Sequence, residues 1–195
     1  MTSEHRLALP VCRSAPRLFL RRFLATALLI ASLATALQGA DEPGQPVNWA
    51  TRTIQETRAA AEKGDVSAQV ALGNSYLAGE SVKQDATEAA RWFRRAAEAG
   101  DPLAQFVMGM LSDEGKGVAQ DQAEAARWYR LAAGQGLPEA QFNLGVSLLR
   151  GEGTAKSAAE AAKWITKAAE QGDTQAQTHL GLLLRDGRGV VKDSA

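Results

Sequence analysis

Residues 101–136 read DPLAQFVMGMLSDEGKGVAQDQAEAARWYRLAAGQG, and the same residue types return 36 positions earlier and 36 positions later. The recurring tryptophans and closing glycines are Trp92, Trp128, Trp164, Gly64, Gly100, Gly136 and Gly172. A fixed period of this length is typical of stacked-repeat proteins, in which each unit buries its apolar face only against its neighbours. The chain is therefore predicted to be a repeat protein.

Each unit predicts two helices and no strand, so the predicted fold class is all-α. The first helices are expected at 67–78, 103–114, 139–150 and 175–186, after an aspartate cap at Asp65, Asp101 and Asp173 and before a glycine. The second helices are expected to open with capping boxes, Asp85-x-x-Glu88, Asp121-x-x-Glu124 and Ser157-x-x-Glu160. The predicted organisation is an N-terminal signal segment 1–40, a flexible leader 41–48, an N-terminal capping helix 49–64, repeats 65–100, 101–136 and 137–172, and an incomplete repeat 173–195.

The first 40 residues have the pattern of an export signal. A basic stretch ends at Arg21-Arg22, an apolar stretch runs from Phe23 to Leu37, and small residues follow. The apolar stretch is short for a membrane-spanning helix. We therefore predict an exported, periplasmic protein, with an uncleaved signal anchored in the inner membrane as the alternative. Membrane contact is expected only in that second case.

Charge and residue usage argue against several classes of function. Residues 1–40 carry five arginines and one acid, which leaves 17 basic and 21 acidic residues for the rest of the chain. Such a balance does not favour nucleic-acid binding, which relies on basic surface. The only cysteine, Cys12, lies in the signal, and the histidines are His5 and His179. This pattern predicts no metal site, no cofactor, no small-molecule substrate and no catalytic residue.

Glycine and tryptophan positions that recur in every unit are interpreted as structural. Gly73, Gly109, Gly145 and Gly181 lie within predicted helices, where glycine costs about 1 kcal/mol relative to alanine. Their recurrence indicates close approach of a neighbouring helix or of the tryptophan ring. Trp92, Trp128 and Trp164 lie between pairs of alanines, and we expect them to be the large residues that fill the space between helices.

Charged pairs on the second helices are interpreted as a solvated face. Glu88/Arg91, Glu124/Arg127 and Glu160/Lys163 are each three residues apart, a spacing worth only a few tenths of a kcal/mol.

Positions that vary between units are the candidates for partner binding. On the first helices they could line a groove for a peptide or helix, and the candidate residues are Phe106, Met110, Asp113, Phe142, Val146 and Leu149. For Phe106 and Phe142 the alternative is packing between adjacent repeats, because large apolar side chains are usually buried.

The motifs Ala-x-x-x-Leu-Gly, Gly-x-Gly-Val, Asp-x-x-x-Ala, Trp-Tyr/Phe and Ala-Ala-x-x-Gly resemble those of the Sel-one-like repeat (SLR) family, relatives of the tetratricopeptide repeat. The resemblance covers about residues 64–190, with departures at Ser81, Thr154 and Ile165. It implies a right-handed α-solenoid that recognises protein partners, in a bacterial protein. It implies no particular partner.

These observations together predict a non-enzymatic adaptor or regulator of the bacterial cell envelope that binds one or more proteins. A scaffold for assembly or secretion of an envelope polymer is the alternative, followed by a hydrolase of envelope substrates. The fourth unit stops after its first helix, so we also expect that the chain is truncated or that a partner or second copy covers this edge.

Overall fold

The computed structural model describes residues 47–189 of the chain. The predicted signal segment and most of the predicted leader lie outside these residues. Helices make up the regular structure of the described part, in which there is no β-strand. After a short 3-10 turn at Trp49–Thr51 come eight α-helices: α1 (Ile54–Glu62), α2 (Val66–Ala78), α3 (Ala86–Glu98), α4 (Pro102–Glu114), α5 (Gln122–Gly134), α6 (Pro138–Arg150), α7 (Ala158–Glu170) and α8 (Thr174–Asp186).

Short polar or proline-containing segments begin the first helices of the units, α2, α4, α6 and α8. The side chain of Asp65 accepts a hydrogen bond from the backbone N–H of Ala68 at 2.8 Å, and Asp101 and Asp173 make the equivalent bond. Leu137 makes no such side-chain bond, but Pro138 follows it at the first helical position, where no N–H is needed. The four predicted first helices are therefore present, each beginning one residue earlier than expected.

Capping boxes are less complete than the sequence predicts. Asp85, Asp121 and Ser157 accept backbone hydrogen bonds at the starts of α3, α5 and α7. The reciprocal hydrogen bond, in which the backbone N–H of the cap residue donates to the glutamate carboxylate, forms between Thr53, the N-cap of α1, and Glu56. The glutamate of the predicted boxes at Asp85 and Asp121 instead binds other side chains, namely Arg91 for Glu88 and Arg94 for Glu124.

Consecutive helices pack against one another along the whole described chain, from α1 against α2 to α7 against α8. Paired alanines on the second helices are almost completely buried and allow this close approach, as in Ala89, Ala90, Ala96 and Ala97 of α3. The substantial contacts all join neighbours in sequence. The described helices therefore form an α-solenoid in which each unit is supported by the units beside it.

Mid-helix glycines make room for a side chain of the following helix. A Cβ at Gly73 would lie 2.8 Å from the Phe93 ring, and one at Gly109 would lie 2.6 Å from the Tyr129 ring. At Gly145 the side chain opposite is Ile165, at 2.5 Å. The space is thus filled by the residue that follows the tryptophan. The prediction that the tryptophans fill this space is therefore wrong.

The three tryptophans Trp92, Trp128 and Trp164 are only half-buried. Because α3, α5 and α7 turn by about 100° per residue, a tryptophan and the residue after it point in different directions. The second of the two faces the glycine, and the tryptophan stays partly open to solvent, although Trp128 also packs against the buried cluster that includes Phe93 and Met108.

The Gly-x-Gly turn between the two helices of a unit lies against the previous unit. A Cβ at Gly117 or Gly153 would collide with the backbone carbonyl of Ala86 or Gln122, at the start of the preceding second helix. Both glycines also have positive φ. In the first unit Ser81 occupies this position with φ +63°. The preceding helix α1 begins only at Ile54, later than the period would place it.

Candidate protein-binding face on the first helices

One side of α4 and α6 remains partly open to solvent. On α4, Met110 is half-buried and Asp113 is exposed, and on α6 Val146 and Leu149 are half-buried. The members of each pair are three residues apart, so they lie on the same side of their helix. These four residues are called the first-helix face below.

Phe106 and Phe142 are buried, with only 6% and 7% of their surface exposed. The Phe106 ring lies 6.0 Å from the ring of Tyr129, centroid to centroid, and the Phe142 ring lies 4.9 Å from that of His179 in an edge-on arrangement. The structure therefore places both phenylalanines in the packing between helices. This is one of the two roles that the sequence left open.

Val146 and Leu149 connect the first-helix face to the core of the last units. Both pack against a buried cluster that includes Phe142, Ile165 and Leu183. Their inner atoms are thus held in place, while their outer atoms reach solvent. Side chains fixed in this way lose little conformational freedom when a partner covers them.

Asp113 is the titratable residue of the first-helix face, and its pKa is shifted. Although Asp113 is exposed, the protein around its carboxyl removes part of the surrounding water, which raises the pKa; the negative charge of Glu152 raises it further, and the positive charge of Arg150 opposes the change. Arg150 is itself paired with Glu152, with 3.4 Å between Nη1 and Oε2. The ionised form of Asp113 is therefore disfavoured, and a positive group supplied by a partner would stabilise it.

Tyr129 lies beneath the same region. Its burial raises the pKa of the phenol far above the ordinary value, as do the charges of Asp113 and Glu114, while a hydrogen bond with the Asn143 side chain opposes the shift. The phenol thus stays neutral and links α5 to α6. Sequence reasoning treated Tyr129 only as part of the repeat motif and did not single out Asn143, Arg150 or Glu152. The variation of Asn143 between units was the available signal for that residue.

Gly181 and His179 of the last unit have surroundings unlike those of the equivalent residues in the earlier units. Nothing lies within 4 Å of a Cβ placed at Gly181, because no second helix follows α8 among the described residues. His179 is half-buried, and its Nδ1 lies 3.0 Å from the carbonyl oxygen of Gln175. Its ring serves as a packing surface for Phe142.

The described residues contain neither a cluster suited to a metal ion nor a membrane-spanning helix. Within residues 47–189, no group of three or more His, Cys, Asp or Glu side chains converges as a metal site would require. None of the helices from α1 to α8 has the length and hydrophobicity needed to cross a membrane.

A family model described as the Sel1 repeat matches four successive segments, residues 66–101, 102–137, 138–173 and 174–195. No curated protein matches the chain.

Solved structures of bacterial proteins resemble this chain. A protective antigen of uropathogenic Escherichia coli strains with an SLR fold is 42% identical, with a TM-score of 0.70 over 76% of this chain and 31% of that one. The chain thus spans about a third of that antigen. A Sel1 repeat protein from Oxalobacter formigenes is 41% identical, with a TM-score of 0.62 over 66% of this chain and 96% of that one. Cysteine-rich protein B of Helicobacter pylori shares the fold, with 23% identity and a TM-score of 0.52 over 67% of this chain and 98% of that one.

Proposed function

Because the chain belongs to the Sel1 repeat family, we propose that it is a non-enzymatic adaptor that binds another protein through the first-helix face. Sel1 repeat proteins typically mediate protein–protein interactions. The solenoid is built from repeated elements that supply surface rather than a closed cavity, which suits recognition of a polypeptide.

The observation that carries the proposal is the composition of the first-helix face. Met110, Val146 and Leu149 offer partly exposed apolar atoms, and Asp113, three residues after Met110 on α4, is an exposed carboxylate whose ionised form is less stable here than in water. A partner segment could have an apolar side chain next to a lysine or arginine. The apolar side chain would cover Met110, Val146 and Leu149, and the basic side chain would neutralise Asp113. Both effects favour the complex over the separate proteins.

We further propose that the protein acts in the bacterial cell envelope, in the periplasm or attached to the inner membrane. Support comes from the order of residues at the N-terminus, where arginines precede an apolar stretch of the length found in export signals. The relatives of highest identity described above come from bacteria.

The test compares capture of proteins from a bacterial envelope extract by the tagged whole chain and by a Met110→Ala/Asp113→Lys variant. A captured protein would then be purified and its affinity for both chains measured by calorimetry. We expect the variant to bind at least about tenfold more weakly, since tenfold corresponds to about 1.4 kcal/mol. Glu98→Lys, a similar charge change at an exposed residue of α3, is the matched control and should bind like the unchanged chain.

Two results would count against the proposal. Equal affinity of the double variant and the unchanged chain for the same partner would exclude the first-helix face. Retention of no protein by either chain would remove the support for an adaptor. Circular dichroism of all three chains establishes that a loss of binding does not come from unfolding.

A further inference from the structure

Repeat-to-repeat differences on the second helices point to another surface, on α5. In the first unit the Arg95 guanidinium lies 4.9 Å from the centre of the Trp92 ring, and in the third the Lys167 ammonium lies 4.5 Å from the centre of the Trp164 ring. The equivalent position in the middle unit is Leu131. Leucine carries no charge to stack on an aromatic ring, so Trp128 lacks the cation that covers the other two tryptophans.

Leu131 is itself unusual among the described residues, because 52% of its surface is exposed, more than for any other large apolar side chain there. With Trp128 it borders an open cavity of about 330 Å³, whose other lining residues are Arg94, Glu124 and Arg127. These five residues are called the Trp128 patch. A partly exposed tryptophan beside arginine is the composition typical of residues that dominate protein–protein binding energies, and Trp128 is half-buried.

Ion pairing also differs in the middle unit. In the first unit Arg91 pairs with Glu88, the glutamate three residues before it. In the middle unit the corresponding glutamate, Glu124, accepts hydrogen bonds from Arg94 at 3.0 Å and from the Trp128 indole at 3.3 Å. Arg127 is therefore left without a carboxylate partner in the part of the chain that the structure describes. Of the three pairs that the sequence predicts, only Glu88/Arg91 forms there, because Glu160 and Lys163 of the third unit do not pair either.

The balance of charge selects between two kinds of ligand for the uncovered Trp128 ring. The patch contains two arginines and one glutamate, and that glutamate is already engaged. A lysine or arginine of a partner would meet repulsion from Arg127, whereas a carboxylate would be attracted to it. Leu131 and the Trp128 ring at the same time favour an apolar group.

We propose that the Trp128 patch is a second protein-binding surface, which takes a partner segment that presents a large apolar side chain next to a carboxylate. The apolar side chain packs on Leu131 and Trp128, and the carboxylate accepts hydrogen bonds from Arg127. The surface lies on a second helix and is separate from the first-helix face, so one chain can bind two protein segments of opposite charge.

The indole N–H signals of the whole chain, labelled with ¹⁵N, test this proposal by NMR. The chain has four tryptophans, and a Trp128→Phe variant assigns the signal of interest. The probes are two blocked dipeptides, N-acetyl-Phe-Glu-amide and N-acetyl-Phe-Lys-amide. We expect the first probe to shift the Trp128 signal in a saturable way and to leave the Trp92 and Trp164 signals in place, and the second to shift it at least about fivefold less at equal concentration.

Variants show which side chains of the Trp128 patch contribute to binding of the acidic probe. Leu131→Gln replaces the exposed leucine with a neutral polar side chain that leaves the charge of the patch unchanged, so the variant should fold normally, and we expect it to weaken binding of the acidic probe about fivefold or more. Arg127→Glu should weaken it similarly. Lys163→Glu, the same kind of change in the third unit, should have no effect.

Three outcomes would overturn the proposal: no saturable shift of the Trp128 signal, an equal or larger shift with the lysine probe, or unchanged affinity in the Leu131→Gln chain. The second outcome would identify Trp128 as a site for a partner's cation.

Discussion

Mid-helix glycines differ in what stands opposite them, and this difference sets the cost of a methyl group. An alanine at Gly109 or Gly145 would press against Tyr129 or Ile165, which overpacks the site by about 1–3 kcal/mol. At Gly181 the space is open, and alanine is the better helix former by about 1 kcal/mol. We therefore expect Gly109→Ala and Gly145→Ala to lower the free energy of unfolding and Gly181→Ala to raise it.

Urea denaturation followed by circular dichroism measures these three changes. The three variants introduce the same side chain at equivalent positions, so each serves as the control for the others. An increase in stability for Gly145→Ala would contradict the packing that the structure describes.

The Asp113 carboxyl predicts a dependence of stability on pH. Its pKa is raised in the folded chain, so the folded state holds the proton more tightly than the unfolded state does. Stability is therefore lost as the pH rises from the ordinary aspartate range through the raised pKa. In Asp113→Asn this loss is absent. We expect the stability of the variant relative to the unchanged chain to increase between acid and neutral pH.

Denaturation midpoints at several pH values between about 3 and 7 give this difference, since the titration of all other groups cancels to first order. Parallel curves for the two chains would show that Asp113 titrates alike in the folded and unfolded states.

Sequence reasoning at the scale of residues identified where glycine is required but not which residue requires it. Phe93 and Tyr129 are aromatic but Ile165 is not, whereas the preceding tryptophan is the same in all three units, so the packing role was assigned to the tryptophan. The three residues share a large side chain and a position one residue further round the helix. That position becomes informative once the direction in which α3, α5 and α7 pack is known.

At the scale of elements, one glutamine in each first helix ties it to the preceding helix. The Gln105 side-chain amide donates to the carbonyl of Ala97 at 3.1 Å, and its oxygen accepts from Gln135 at 2.8 Å. Gln177 makes the equivalent bond to Ala169 at 3.2 Å but is exposed. Gln105→Ala should cost about 1–3 kcal/mol, because it removes two hydrogen bonds of a buried side chain, the one donated to Ala97 and the one accepted from Gln135. Gln177→Ala should cost about 0.5 kcal/mol or less.

Thermal unfolding of the two glutamine variants checks this expectation. A cost for Gln105→Ala as small as that for Gln177→Ala would mean that water replaces the lost hydrogen bond.

Helix ends were predictable to within a residue because aspartate before a helix and glycine after it act locally. The start of α1 was less predictable. The sequence predicts a capping helix over 49–64, whereas α1 begins at Ile54, where Thr53 and Glu56 complete a capping box. The exposure of the candidate binding residues was least predictable. Partial exposure of Met110 and burial of Phe106 depend on how the neighbouring helices are placed, which the pattern of one helix does not record.

At the scale of the molecule, stability is distributed unevenly along the solenoid. The middle helix α5 packs against α4 and α6, whereas α8 packs substantially against α7 alone among the described helices. Amide hydrogens of α5 should therefore exchange with solvent more slowly than those of α8, because less structure must open to expose the latter.

Hydrogen–deuterium exchange with mass spectrometry measures this difference directly. Equal protection of α5 and α8 would show that the described helices open as one cooperative unit, instead of from one end.

The restriction of packing to consecutive helices also has a genetic consequence. Duplication or loss of one whole 36-residue segment of the coding sequence would create only junctions of a kind that already exists in the protein, such as that between α5 and α6. A chain of this design can change its length in one mutational event without a new core. Each added unit would then bring fresh positions like Met110 and Leu131, at which specificity can evolve while the shared positions keep the fold.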